Sequence, residues 1–158
     1  MIRVQREDFD PGAEMAALTK GRTDIGGLAA FVGLVREMVG GKAAGDAHAG
    51  ETRIDAMTLE HYPGMTEKKL AEIEAEAHRR WPLQASLVIH RYGRLLPGER
   101  IVLVVTASAH RQAAIESCQF LIDWLKTEAP FWKLEEGAGG ADWVEARASD
   151  EAAKQRWR

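Results

Sequence analysis

Hydrophobic and polar positions along the chain fall into runs of two periods. Alternation marks strands, and apolar residues three to four apart mark helices. Residues 2–6 alternate as a short strand. A helix is predicted from Asp10-Pro11-Gly12 to about Lys20, with Asp10 as N-cap and Pro11 at the first helical position. Residues 26–37, GGLAAFVGLVRE, read as a buried strand in which Gly33 marks a close backbone approach or a bulge. Residues 39–52, VGGKAAGDAHAGET, show no periodicity and are expected to form a mobile loop. The strand 53–62 ends at Pro63-Gly64. The next segment, 65–81, is an amphipathic helix with Thr66 as its expected cap. Leu70, Ile73, Ala77 and Trp81 line its apolar stripe, and Pro82 stops it.

Strands at 85–95 and 100–108 flank Pro97-Gly98, and the second is apolar enough to sit centrally in a sheet. A second long helix is predicted over 110–129, capped at Ser108 or its neighbour and ended by Pro130. Gln112, Glu116, Gln119, Asp123 and Lys126 form its polar stripe, opposite Ala114, Cys118, Leu121 and Leu125. Residues 131–149 read as a glycine-turned hairpin followed by a charged end. Strands and helices mix without strict alternation, so the class is α+β and not a doubly wound sheet.

Composition narrows the function. A chain of 158 residues, 46% hydrophobic and 28% charged, is expected to form one domain, 1–158, with a real core. The net charge of -3 gives no overall basic field for nucleic acid, so any anion site is local. A single cysteine, Cys118, rules out an internal disulfide framework and a cysteine-rich zinc site; it is read as a small core residue and not as a reactive thiol. His48, His78 and His90 lack metal-ligand spacing, so neither metal nor cofactor is expected. No signal peptide or membrane-length apolar run appears, which points to a cytoplasmic protein. Gly41-Lys42 lacks the earlier glycine and the following Ser or Thr of a phosphate loop.

Candidate chemistry gathers at the two ends of the helix 110–129. Its first turn carries His110 and Arg111, where the macrodipole disfavours cations. Either both side chains reach into solvent or toward a carboxylate, or they join the helix-end amides in an anion site. At the other end, Lys126 and Lys133 flank Pro130-Phe131-Trp132. Lys126 alone reads as a solvated lysine that complements the dipole. Paired with Lys133 beside an apolar wall, it becomes a candidate for acid–base work, because desolvation favours the neutral amine that such work uses at neutral pH. His110 and Lys126 lie about 24 Å apart along one helix. They therefore serve two sites, or a symmetric dimer brings His110 and Arg111 of one copy to Lys126 and Lys133 of the other; the dimer is favoured. Arg36 and Arg147 end strands, Arg36 being the stronger candidate contact. His61 is either a catalytic base or, as favoured here, a buttress for the turn after it.

In order along the chain, FVGLVR, LEHYPGMTEKKLAEI, RWPL, VIHRYGRLLPGE, SAHRQAAIESCQFLIDWLKTEAPFWK and WVEAR resemble the large, catalytic subunit family of molybdopterin synthase. The resemblance covers about Gly26 to Trp157. It implies an α/β-hammerhead fold with an additional α+β portion, and a homodimer at the centre of a heterotetramer. The implied partner is a small ubiquitin-like sulfur carrier with a C-terminal Gly-Gly thiocarboxylate. The implied substrate is cyclic pyranopterin monophosphate, converted by two sulfur transfers to the molybdopterin dithiolene. The family's substrate-binding arginine falls on Arg36, its His-Arg pair on His110 and Arg111, and its active-site lysines on Lys126 and Lys133. Phe31 and Arg147 match neighbouring positions. The rival reading is a non-catalytic scaffold that binds a pterin or phosphate and docks the ubiquitin-like partner.

Overall fold

The strand whose apolar residues run without a break takes the centre of the main sheet, because both faces there are covered. In the computed structural model, which describes residues 1–40, 51–138, 140–144 and 148–158, β1 spans Ile2–Gln5, β2 Gly27–Leu34, β6 Leu83–Arg91 and β8 Arg100–Ser108. They form a sheet of order β1-β6-β8-β2, with β1 parallel to β6 and the other pairs antiparallel. Successive side chains of the central strands feed two cores. Val88, Val102 and Val104 join the core that includes Leu70 and Ile73 of α2 (Met65–Arg80) and Phe120 and Leu121 of α3 (Arg111–Glu128). Leu87, Ile89, Leu103 and Val105 pack on the other side with Phe9 and with Met15 and Leu18 of α1 (Pro11–Thr19).

A second antiparallel sheet has the order β10-β9-β5-β7, built from Gly140–Val144, Phe131–Gly137, Ala56–His61 and Gly93–Leu95. It adds a smaller core of Val35, Ile54, Met57, Leu59 and Leu95. A ribbon of β3 (Met38–Gly40) and β4 (Glu51–Arg53) and a last helix, α4 (Ala148–Gln155), complete the described elements.

The α+β class holds, and so do several local expectations. The Asp10 carboxylate accepts the Ala13 N–H at 3.1 Å, capping α1. The pairing of β2 with β8 shifts register between Gly33 and Leu34, and a Cβ on Gly33 would lie 2.7 Å from Val102 Cγ1, so the glycine marks both a bulge and a close approach. Pro130 ends α3, and 131–144 fold back as the β9–β10 hairpin.

Other expectations need correction. β2 is not buried but an edge strand, bonded among the described strands to β8 alone, with Leu28, Phe31 and Leu34 at 39%, 39% and 52% exposure. The run 85–95 is two strands: Gly93, at φ +96°, turns the chain so that β6 stays in the main sheet and β7 pairs with β5. Thr66 is not the cap of α2. Gly64 holds that place, its N–H bonded to the Glu67 carboxylate at 2.7 Å, while Thr66 is wholly buried. The cap of α3 is His110, whereas the Ser108 hydroxyl donates to the Pro82 carbonyl at 2.9 Å.

Asp123 leaves the predicted polar stripe for the interior, accepting from Trp157 Nε1 at 2.7 Å and Gln119 Nε2 at 2.9 Å. The charged end contains a helix, α4, that periodicity did not reveal. Residues at both ends of the expected loop 39–52 are paired in β3 and β4, and 41–50 lie outside the described residues. Among the described residues no helix is long and apolar enough to cross a membrane.

Candidate functional site

The N-terminal end of α3 is set by glycines. Gly26 donates its N–H to the Ser108 carbonyl at 2.9 Å, and a Cβ there would stand 2.0 Å from the Ala109 oxygen. Only glycine lets β2 start this close to the turn that launches α3. His110 takes an extended conformation at the cap, and no acidic residue occupies the first turn, so the positive end of the helix is uncompensated. His110 and Arg111 are both exposed. Arg36 is exposed just past the end of β2, following Val35, which is buried and bonded through its backbone to Glu99 and Gly98 at 2.9 and 2.8 Å. No hydrogen bond or ion pair ties the side chains of Arg36, His110 or Arg111 to another described residue. Phe31 lies midway along the exposed edge strand, and Arg147 falls outside the described residues.

The C-terminal end of α3 is built differently. The Ala129 N–H closes the helix on Leu125 at 3.3 Å, the Phe131 N–H returns to the Ala129 carbonyl at 2.9 Å, and the chain turns at Pro130 into β9. Lys126 Nζ lies 3.8 Å from Asp150 Oδ1 of α4, with its side chain 48% exposed. Lys133 is exposed on β9, paired in register with Leu59 and Val144. Within the single chain, therefore, the aromatic corner does not enclose the two ammonium groups as expected. The strand period explains why: Trp132 points away from the Lys133 side and is 48% exposed, while the Phe131 ring stacks on His90, centroids 3.7 Å apart and planes at 17°.

Two residues that are not among the site candidates read from the sequence, Thr66 and His90, hold this corner. The Thr66 hydroxyl donates to the Pro130 carbonyl at 3.1 Å and accepts the Tyr62 N–H at 3.0 Å. His90 is 6% exposed, and its Nδ1 lies 2.8 Å from the Arg91 carbonyl; because that oxygen only accepts, Nδ1 carries the proton. Burial, with Lys133 and His61 as nearby positive partners, pushes the His90 pKa down to about 4. Glu128, on the last turn of α3, bonds the buried Lys154 of α4 and lies 3.6 Å from Lys69 of α2. These cations, Lys154 first, hold its carboxyl below the usual range.

The remaining candidates read as structural. His61 packs on Tyr92 at 4.2 Å, with Nε2 3.6 Å from Glu67, which supports the buttressing reading. Burial pushes the Cys118 thiol up to about 11, as for an inert core cysteine. Among the described residues no group of three or more His, Cys, Asp or Glu is placed to hold a metal ion.

The structure leaves His110 and Lys126 at opposite ends of one 18-residue helix. Beside that helix runs a groove of about 400 Å³ between α3 and the edge strand, lined by Leu28, Phe31, Ile115, Cys118 and Ile122 among others. Leu28, Phe31 and Ile115 expose 39%, 39% and 58% of their surface along it.

Similar proteins agree with this architecture. Residues 4–128 match the family described as MoaE protein. The molybdopterin synthase catalytic subunit of Pseudomonas aeruginosa is 54% identical over 156 residues, covering 99% of this chain and 97% of that protein. The solved structure of the molybdopterin biosynthesis MoaE protein of Burkholderia ambifaria superposes with a TM-score of 0.80 at 50% identity, over 99% of this chain and 97% of that one. A protein–protein complex of subunits 1 and 2 of molybdopterin-converting factor from Helicobacter pylori has the same fold, with a TM-score of 0.70 at 19% identity over 92% and 91% of the two chains. By fold and by full-length sequence identity, the chain belongs to the MoaE family, the catalytic subunits of molybdopterin synthase.

Proposed function

We propose that the chain transfers sulfur from the C-terminal Gly-Gly thiocarboxylate of a small ubiquitin-like carrier subunit to cyclic pyranopterin monophosphate, forming the molybdopterin dithiolene. The observation that carries this reading is the 54% identity, across 99% of the chain, with a molybdopterin synthase catalytic subunit. The Helicobacter pylori relative, solved as a complex of two subunits, supports a small protein partner. In each transfer the carrier's sulfur forms a carbon–sulfur bond to the pterin while a carbon–oxygen bond of the pterin breaks and the departing oxygen takes up a proton. Water then cleaves the acyl carbon–sulfur bond, leaving sulfur on the pterin and a carboxylate on the carrier. Lys126 is the principal proton donor in this reading, with Lys133 beside it. Arg36, His110 and Arg111 bind the cyclic phosphate, a task suited to exposed cations and to the positive end of a helix. Phe31 and Arg147 are further candidate contacts for the substrate.

The active unit is a homodimer within a heterotetramer. Its two copies meet at the apolar edge strand and groove, and His110 and Arg111 of one copy complete the site of Lys126 and Lys133 of the other. The length of α3 supports this sharing, since its two ends cannot reach one small ligand within a chain. An inserted peptide tail and the second copy then supply the enclosure that the Pro130–Trp132 corner alone does not. The test is to incubate the protein with precursor and thiocarboxylated carrier and to follow the fluorescence of the oxidised pterin product. Product forms under the enzyme reading; tight binding of both reactants without product overturns it.

A further inference from the structure

Lys126 sits on the last turn of α3, and Lys133 is the third residue of β9. The direct chain link between them is residues 127–132, where the chain reverses at Pro130, while β9 is also held in register by β5 and β10. A shift of this corner would displace the start of β9 relative to the end of α3, and so change the spacing of the two ammonium groups. We propose that Thr66 and His90 are positioning residues that clamp the Pro130–Phe131 corner from two sides and so set the spacing of Lys126 and Lys133, an inference that rests on the sulfur-transfer reading.

The clamp on Pro130 is polar. Thr66 is 0% exposed, and both functions of its hydroxyl are used: it accepts from Tyr62 N–H at 3.0 Å and donates to the Pro130 carbonyl at 3.1 Å. Thr66 does not cap α2, a task Gly64 and Glu67 perform. Its side chain ties the start of α2 to the corner across 64 residues of sequence.

The clamp on Phe131 is a ring stack. His90 stands near the end of β6, in the other sheet, with its ring parallel to that of Phe131 at 3.7 Å. The bond from its Nδ1–H to the Arg91 carbonyl at 2.8 Å fixes the ring plane. A neutral ring suits this place, because Lys133 and His61 stand near enough to oppose a further positive charge. The two clamps arise from different elements, α2 and β6, so each can be removed without the other.

The experiment uses the full chain with thiocarboxylated carrier and precursor, and four variants. Thr66→Val and His90→Leu remove one clamp each; Thr66→Ser and His90→Phe keep the hydroxyl and the ring. A displacement near 1 Å lowers catalysis by up to about 100-fold. Thr66→Val and His90→Leu are expected to lower kcat about tenfold or more, with KM for the carrier little changed, while Ser and Phe restore most of the rate. Amide hydrogen exchange across 126–134 rises in Val and Leu and returns in Ser and Phe. Wild-type kcat in folded Thr66→Val and His90→Leu, an effect confined to KM, or equal losses in the Leu and Phe variants would overturn the clamp. Lys126→Ala and Lys133→Ala separate the two levels. If the parent forms no product the sulfur-transfer reading fails; if the lysine variants retain activity the lysine assignment fails, and the purpose of the clamp with it; if they are inactive while the clamp variants turn over normally, only the clamp fails. Should a variant not fold, the remaining clamp decides by the same measurements.

Discussion

The two ends of α3 carry the candidate chemistry and are built in opposite ways. At the start, His110 and Arg111 stand in solvent beside an uncompensated helix end, with no bond from their side chains to the rest of the described chain. At the finish, Pro130 is gripped by Thr66, Phe131 lies on His90, and Glu128 holds the buried Lys154. The contrast fits a division of labour. Cations that must wrap a diffusing anion profit from being unpaired, because no internal ion pair has to break first. Proton donors need a fixed distance to one atom, so their backbone is braced.

The sharpest way to break that comparison is to delete a cation at each end. Lys126→Ala is expected to lower turnover by about 10²–10⁴, the usual contribution of a general acid. Its melting temperature should hardly move, since the 3.8 Å contact to Asp150 is half exposed and such pairs contribute at most about 1 kcal/mol. Near-normal turnover by pterin fluorescence would remove Lys126 from the mechanism. Arg111→Ala should act mainly on KM for the precursor. At precursor concentrations far below the raised KM, where Arg111→Ala is also nearly inactive, mixing the two variants tests sharing: random exchange makes half the dimers mixed, each with one intact site, so roughly a quarter of wild-type activity returns. No recovery, once exchange is shown by mass spectrometry, places both ends in separate sites.

Sequence made the open end legible and the braced end only partly so. Cations at a helix start are visible because they violate the dipole preference, and the length of α3 follows from its period. The brace was not visible, because it depends on partners far apart in the chain. Thr66 looks like a cap in sequence, being a threonine just after Pro63-Gly64. Only the fold shows its hydroxyl reaching Pro130. His90 looks like one more residue in an apolar run until Gly93 sends the chain into the second sheet and Phe131 arrives on its ring. The same limit explains α4, whose short, charged sequence carries little apolar periodicity and which is anchored by Lys154 and by Trp157 just beyond its end. The edge position of β2 was missed because apolar residues that line an exposed groove read the same as buried ones.

A smaller effect sharpens the braced side. Glu128→Gln leaves the Lys154 ammonium, 9% exposed, with Glu151 at 3.6 Å as its remaining carboxylate partner among the described residues. Removing one member of a buried pair costs about 3–5 kcal/mol, and the remaining partner places this case at the low end, about 3. Lys154→Met, which removes the buried charge itself, should cost less, and urea titration orders the two. The pH dependence has a definite sign. The Glu128 carboxyl is held below its ordinary 4.5, so its contribution is complete above that pH and is lost as pH falls through the depressed value. Glu128→Gln should therefore differ most from the parent near neutrality and least in acid.

The last effect is confined to acid and isolates His90. Its folded pKa is lowered from 6.5 to about 4 by burial, so the neutral ring is the form the fold accepts. Above pH 6.5 the ring is neutral in both states, and its contribution to stability is complete. Between 6.5 and about 4 the unfolded chain binds a proton that the folded chain refuses, so stability falls with pH; below about 4 both states are protonated and the dependence ends. A shift of this size corresponds to about 3 kcal/mol across the window. Carboxylates titrate in the same range, but they do so in parent and variant alike. The difference in unfolding free energy between the parent and His90→Phe removes that background. It should be constant above pH 7 and move by about 3 kcal/mol in favour of the variant by pH 4. A difference that stays flat to pH 4 would mean that the imidazole gains a proton without losing its place on Phe131, and that the braced end of α3 tolerates a charge where its stacking and burial argue for none.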